Sequence, residues 1–254
     1  MSMKNFKLNV SFKKLLADTT TPVSIYLRLR DVFPNSLLLE SSDYHANDNS
    51  FSYICFNPIA SIKVENQKIY IQFPNEKEKC IQITEKNQVI KELDLFRSVF
   101  QSETNEFKFI SNGLFGYTAY DAIQYFEKIN IQNKSKDNII PDLFYAVYQN
   151  IIAINHFKNE AYLFCHSLEN ENNINVIEQI IANRNLSSHF FSRKNDIKSN
   201  ISDTKFKENV TLAKQHCKRG DVFQLVLSKR FEQDFIGDEF NVYRALRNIN
   251  PSPY

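Results

Sequence analysis

The spacing of apolar residues predicts helices in several parts of the chain. Thr21 and Pro22 form a typical helix start, because the hydroxyl can cap the first turn and proline fits its first position. This helix is expected to run to about Val32 and to end before Pro34. Helical spacing recurs in QVIKELDLFRSVF, in NVIEQIIANR and from about Phe240 to Asn248.

Runs of β-prone residues lie between these helices. The runs are SLLLES, FSYICF, ASIKVE, KIYIQF, LFYAVYQNIIAINHF and EAYLFCH. Asn66 and Gln67 are expected to join two of them as a hairpin, and NGLFGYTAYDAIQYFE is typical of a turn and strand that lead into a helix. Helices mixed with largely antiparallel strands predict an α+β fold rich in antiparallel sheet, rather than a doubly wound sheet.

A further helix is predicted near the end of the chain. Phe206, Val210, Ala213 and Cys217 form one apolar stripe at helical spacing, and Gly220 is the expected left-handed stop. Two Asn- and Lys-rich stretches that precede this helix, ENENNINV and SRKNDIKSN, are interpreted as solvated loop or linker.

The segment RGDVFQLVLSKRF, which follows Lys218, is predicted to be a strand. Alternation places Phe223 and Leu225 on one face, and Gln224 with Ser228 on the other. A neutral amide in so apolar a run is unusual. From the pattern alone, the Gln224 amide is expected to form hydrogen bonds with a neighbouring strand or loop.

Composition excludes several classes of function. A net charge of +2 gives no electrostatic case for nucleic acid or an anionic membrane. No run approaches the roughly 20 apolar residues of a membrane span, and the first residues do not resemble a signal peptide. The four cysteines are far apart, as in a reduced cytosolic chain. The expected compartment is therefore the cytoplasm.

Phosphate-binding loops and metal sites are also disfavoured. Only four glycines occur, at positions 113, 116, 220 and 237, so neither a P-loop nor a dinucleotide fingerprint can be written. The five histidines lack the i, i+4 spacing of metal ligands, so no metal ligand is assigned in this chain.

Glu40 and Ser41 are candidates for a binding site. Glu40 ends the apolar run SLLLE and is followed by Ser41. Glu40 is interpreted either as a strand end that reaches solvent or as a carboxylate beside a hydroxyl at the mouth of an apolar layer. The second arrangement suits a ligand with an ammonium group and an apolar side chain.

Several segments together resemble the N-terminal half of anthranilate synthase component I, in the chorismate-utilising family. TPVSIYLRLR, LLLESSD and FSYICFNPIA are similar to the family's opening; GLFGYTAYDAIQYFE and PDLFYAVYQNIIAINH are similar to its middle. The strongest similarity is AKQHCKRGDVFQLVLSKRF, followed by YRALRNINPSPY. The segments occur in the family's order over nearly the whole chain, which makes the set specific.

The resemblance implies an enzyme of tryptophan biosynthesis that converts chorismate and ammonia to anthranilate and pyruvate with Mg²⁺. Ammonia would come from glutamine through a glutamine amidotransferase partner, component II. The alternatives are aminodeoxychorismate synthase component I and a non-catalytic module that senses tryptophan or docks the glutaminase. No nucleic acid or membrane partner is expected.

The resemblance also assigns roles to individual residues. Gln224 occupies the position at which water-adding relatives carry a lysine, and is expected to orient ammonia without acting as a base. Glu40 and Ser41 match the LLES motif, which with NPSPY forms the family's site for the feedback inhibitor tryptophan. Pro253 and Tyr254 would contribute wall and backbone contacts to that site.

The domain expectation follows from the same resemblance. Residues 1–190 would be the regulatory and partner-binding domain, and residues 191–254 the start of a chorismate-binding catalytic domain of the anthranilate and aminodeoxychorismate synthase type. The chain is expected to be truncated at its C-terminal end, with the Mg²⁺ ligands beyond it. The fragment alone is expected to be inactive on chorismate.

Overall fold

A computed structural model describes residues 4–41, 50–102, 107–129, 140–169, 171–183, 185 and 189–252. The chain divides into two compact units: residues 1–187 with residues 252–254, and residues 188–251. In the described parts of the chain, no helix is both long and apolar enough to cross a membrane.

Within the described residues, the first unit is a nine-stranded sheet with three α-helices. Its helices are α1 (Pro22–Leu29), α2 (Gln88–Ser98) and α3 (Ile174–Ala182), and a short 3₁₀ helix spans Tyr120–Tyr125. Its strands are β1 (Phe6–Leu16), β2 (Leu37–Leu39), β3 (Phe51–Glu65), β4 (Lys68–Gln72), β5 (Lys79–Gln82), β6 (Phe100–Ser102), β7 (Phe115–Thr118), β8 (Leu143–Asn155) and β9 (Glu160–Ser167).

The sheet has the order β5-β4-β3-β8-β9-β1-β6, with β2 paired to β3 and β7 paired to β8. All of these pairs are antiparallel except β1 with β6. The two predicted runs FSYICF and ASIKVE are one strand, β3, which continues through a register shift between Pro58 and Ala60. The α+β, sheet-rich fold class is confirmed.

Local signals located several elements correctly. Thr21 caps α1 as predicted: its hydroxyl accepts a hydrogen bond from the Ser24 N–H at 3.1 Å, and the Ser24 hydroxyl accepts one from the Thr21 N–H at 3.0 Å. The helix ends at Leu29, earlier than expected. Asn66 and Gln67 both have positive φ, as a two-residue hairpin turn requires.

The core of the first unit consists of three clusters of buried side chains. One cluster lies under α2, and a second packs α1 and α3 against β3, β8 and β9. The third is rich in aromatic residues and also contacts β2 through Leu37 and Leu39. These clusters fix β3 and β8 at the centre of the sheet, so the residues at the ends of those strands have well-defined positions.

The second unit contains the strands β10 (Phe191–Ser199) and β11 (Phe231–Gly237), and the helices α4 (Asp203–Arg219) and α5 (Phe240–Ile249). The strands pair antiparallel with each other. Helix α4 agrees with the predicted stripe, and Gly220 ends it with φ of 81°. Helix α5 agrees with the predicted final helix.

Two predictions in the second unit are wrong. SRKNDIKSN, interpreted as loop or linker, forms most of β10, because β11 supplies a partner for its backbone. The predicted strand around Gln224 is absent: residues 222–230 have no regular secondary structure, and β11 begins only at Phe231. A strand exists only through hydrogen bonds to a neighbour, and no described strand pairs with residues 222–230.

Candidate functional site

Glu40 and Ser41 lie directly after β2, at the edge of the first unit's sheet. The three residues of β2 pair with β3, and the ladder ends where Leu39 meets Tyr53. Leu37 and Leu39 pack on the aromatic cluster. Glu40 and Ser41 are both half-buried. The short strand thus carries a carboxylate and a hydroxyl to the border of an apolar layer.

The apolar layer beside β2 is built from stacked aromatic rings. The Phe51 ring centroid lies 4.7 Å from that of Phe109 and 6.3 Å from that of Tyr53. Tyr53 in turn lies 6.2 Å from Phe115. Offset rings at these separations attract one another and make a stiff surface. Phe51, Tyr53 and Phe115 are buried, so these rings form the part of the core that lies beside β2.

Hydroxyl groups surround Ser41. Its backbone N–H donates to the Ser52 hydroxyl oxygen at 3.3 Å, and the Ser50 hydroxyl lies 3.4 Å from the Ser41 hydroxyl. Ser52 belongs to β3, and Ser50 is the residue before that strand. Both serines are buried. These contacts continue the association of the chain with β3 after the β2 ladder has ended.

His156 completes this network from the far end of β8. Its Nε2 lies 2.7 Å from the Ser52 hydroxyl oxygen, and its backbone N–H donates to the Ser50 carbonyl at 3.1 Å. The ring itself is exposed. Four side chains from three separate parts of the sequence therefore meet at the end of β2: Ser41, Ser50, Ser52 and His156.

Cys55 does not add reactive chemistry to this region. It lies opposite Leu37 in the β2–β3 pair and is fully buried. Burial raises the pKa of the Cys55 thiol far above its ordinary value, so the thiol stays protonated at neutral pH. Cys55 is a packing residue.

The other predicted site residues lie elsewhere. Gln224 belongs to the second unit, where its side chain is exposed and lies outside any strand. Pro253 and Tyr254 lie outside the described residues. The structure therefore places Ser41 in the serine–histidine network, with Glu40 as its neighbour in the chain. The roles assigned to Gln224, Pro253 and Tyr254 stay predictions.

Sequence reasoning missed Ser50, Ser52 and His156. The sequence holds one weak indication of the two serines: they flank Phe51 at the start of a very apolar strand, where polar residues are unusual. His156 lies 104 residues from Ser52, and only the antiparallel register of β3 and β8, which pairs Ser52 with Ile154, brings them together. No local pattern encodes that register.

The described residues do not fit a metal site. Within them, no group of three or more His, Cys, Asp or Glu side chains could hold a metal ion. Mg²⁺ prefers several oxygen ligands, with carboxylates prominent among them. Among the residues that the structure describes, the arrangement around Glu40 and Ser41 offers one carboxylate and several hydroxyls, which is suited to an ammonium group rather than to Mg²⁺.

Known proteins resemble this chain over nearly its full length. Anthranilate synthase component 1 of Lactococcus lactis subsp. lactis (strain IL1403) is 30% identical, over 95% of this chain and 53% of the relative. Anthranilate synthase alpha subunit 1, chloroplastic, of Arabidopsis thaliana is 26% identical, over 99% of this chain and 48% of the relative. The chain thus spans about half the length of the curated relatives it matches.

A solved structure shares the fold. The crystal structure of anthranilate synthase component I from Streptococcus pneumoniae TIGR4 matches with a TM-score of 0.54 and 25% identity, over 95% of this chain and 54% of that one. The predicted resemblance to anthranilate synthase component I is confirmed. The family described as chorismate binding enzyme matches residues 34–254. The chain belongs to the family of chorismate binding enzymes.

Proposed function

We propose that this chain forms the N-terminal half of an anthranilate synthase component I, in an enzyme that converts chorismate and ammonia to anthranilate and pyruvate. One observation carries the proposal: the similarity to anthranilate synthases is continuous over almost the whole chain, at 26–30% identity in the two relatives above. A glutamine amidotransferase, component II, would supply the ammonia, and this chain would act in the cytoplasm. Mg²⁺ would be held by residues other than those described here.

The test of this proposal is a chimera. The chain, which covers 53% of the Lactococcus lactis relative, is fused to the C-terminal half of that relative. With chorismate, ammonium and Mg²⁺, the chimera is expected to form anthranilate, whereas the 254-residue chain alone is expected to form none. Aminodeoxychorismate as the product would support the aminodeoxychorismate synthase alternative. Turnover by the chain alone would contradict the assignment of half an enzyme.

Gln224 is proposed to favour ammonia over water as the nucleophile. Ammonia needs no deprotonation, and a neutral amide can orient it but cannot remove a proton at neutral pH. In the chimera, Gln224→Lys introduces a potential base and should lower anthranilate formation in favour of a water-derived product. Unchanged anthranilate formation with no such product would count against this role. Gln215→Lys, at an exposed glutamine on α4, is the matched control, outside the proposed role.

Glu40 and Ser41 are proposed to bind tryptophan as a feedback inhibitor. The Glu40 carboxylate would pair with the ligand's ammonium group, the Ser41 hydroxyl would bind a second polar group, and the aromatic layer would lie behind the indole. Inhibition follows if tryptophan prefers an inactive arrangement of the enzyme, since a ligand shifts an equilibrium only by differential affinity.

Substitution of Ser41 tests this regulatory site. In the chimera, Ser41→Arg or Ser41→Phe should relieve inhibition by tryptophan, because either side chain fills the space beside Glu40, while the rate without tryptophan is retained. The control is Ser98→Ala, which removes an exposed hydroxyl on α2 that donates to the Leu95 carbonyl. Inhibition that persists in both Ser41 variants would rule out this site.

A further inference from the structure

The backbone after β2 is held by a side chain rather than by strand pairing. The β2–β3 ladder ends at Leu39 and Tyr53. Two residues later, the Ser41 N–H donates to the Ser52 hydroxyl oxygen at 3.3 Å. Ser52 is fully buried, so this acceptor is held in a fixed position by the sheet. The position of Ser41, and with it that of Glu40, depends on this hydroxyl.

Ser52 in turn depends on His156. A serine hydroxyl has one proton to donate, and a buried hydroxyl without an acceptor is costly. The Ser52 oxygen accepts from Ser41, and His156 Nε2 lies 2.7 Å away on the other side. In the tautomer of His156 that carries its lone pair on Nε2, the imidazole accepts the Ser52 proton, and this completes a chain from His156 through Ser52 to the Ser41 backbone.

His156 is itself fixed from both sides. Its N–H donates to the Ser50 carbonyl at 3.1 Å, which continues the β3–β8 ladder by one residue. The preceding Asn155 accepts hydrogen bonds on its side-chain oxygen from the backbone N–H groups of Phe157 and Lys158, both at 3.0 Å. This Asx-type turn sets where the ring emerges from the sheet.

We propose that Ser52 and His156 are positioning residues of the amino-acid site at Glu40 and Ser41. They are inferred to act through Ser41, setting the backbone so that the carboxylate and the hydroxyl converge on the ammonium group of an amino acid with an apolar side chain. The inference rests on the proposed function for the identity of the ligand. The positioning itself rests on the hydrogen bonds above.

The first readout is hydrogen exchange at the Ser41 amide, measured by NMR on the full 254-residue chain without ligand. Loss of one hydrogen bond should speed exchange by about three- to tenfold in Ser52→Ala and in His156→Phe. His156→Gln keeps an acceptor near the position of Nε2 and should restore the slow exchange. Ser167→Ala, which alters another buried serine, on β9, should leave it unchanged.

The second readout is the affinity for L-tryptophan in the same variants, measured by calorimetry. Ser52→Ala and His156→Phe should weaken binding by about three- to tenfold, while His156→Gln and Ser167→Ala should not. His156 is exposed, so its variants should fold even if Ser52→Ala does not.

The two readouts separate the two ideas. Unchanged exchange at Ser41 in folded His156→Phe would overturn the positioning role, whatever the affinity. A chain that binds no tryptophan, but whose Ser41 exchange responds as expected, would overturn the proposed regulatory ligand and leave the positioning role supported.

Discussion

The two units of this chain differ most in what they bury. Among the described residues, every buried hydrophobic side chain lies in the first unit, from Phe6 to Ile177. In the second unit, none of the described residues 189–251 is buried, and Phe223 is fully exposed. Both units contain strands and helices, so regular secondary structure by itself does not show that a region has a core.

The contrast between α4 and the segment after it explains why. Helix α4 has a capping serine, Ser202, at its start and Gly220 at its end, and a helix makes its backbone hydrogen bonds within itself. Residues 222–230 have strong β propensity but no described partner strand. Local sequence signals suffice for the helix, whereas the strand needs a neighbour that no described element provides.

The largest expected effect is on the free energy of unfolding, when a phenylalanine is replaced by alanine in each of the two units. Phe56 is fully buried and its ring centroid lies 5.0 Å from that of Phe33. Phe56→Ala should lower the free energy of unfolding by about 3–5 kcal/mol, because it removes apolar contact and leaves a cavity. Phe223→Ala should change it by less than about 0.5 kcal/mol. Urea unfolding followed by circular dichroism measures both, and equal effects would break the contrast between the units.

A smaller effect on stability is expected when either of two glycines, one in each unit, is replaced by alanine. A Cβ at Gly116 would lie 1.9 Å from the Phe144 carbonyl oxygen, so Gly116→Ala must move β7 away from β8 and should cost on the order of 3 kcal/mol. Gly220 has open space around its Cβ position but a φ of 81°, so Gly220→Ala should cost about 1–2 kcal/mol, confined to α4. If Gly220→Ala also lowered the free energy of unfolding of the first unit, the cost would not be confined to α4.

The smallest effect is a pH dependence that belongs to the first unit. His166 is buried on β9, and burial lowers the pKa of its imidazole more than the nearby backbone groups of Gln149 and Ser111 raise it. A lowered pKa in the folded state means that His166 stabilises the fold above its unfolded pKa and that this stability is lost as the pH falls below it.

Urea titrations between pH 7 and pH 5 measure this dependence. The free energy of unfolding of the first unit should fall as the solution is acidified, and His166→Gln should flatten the slope. His189→Gln, in an exposed residue of the second unit, is the control and should leave the slope of the first unit unchanged. A slope unaltered by His166→Gln would assign the pH dependence to other groups.

The elements that could be predicted are those whose sequence signals lie within or directly beside the element. The cap at Thr21, the Asn66–Gln67 turn and the stop at Gly220 each act within a few residues. Strand β1, with lysines and polar residues among its apolar ones, was not predicted, since its identity comes from pairing with β9 and β6. The polar β10 was misjudged for the same reason.

The residues of the candidate site also fall into those that local sequence signals could predict and those that depend on strand pairing. Glu40 and Ser41 are visible in the sequence because they end an apolar run and match a family motif. Ser52 and His156 join them only through the register of two long strands. The residues proposed to touch the ligand were therefore predictable, and those proposed to hold them in place were not.

Calorimetric titration of the 254-residue chain with L-tryptophan tests the central claim most directly. The claim is that the end of β2 is the amino-acid site of a feedback-regulated anthranilate synthase. We predict saturable binding at one site per chain, weakened about tenfold to a hundredfold in Glu40→Gln, because a charge-assisted hydrogen bond to the ammonium group is lost. The absence of binding by the folded chain, or equal binding by Glu40→Gln, would contradict the claim.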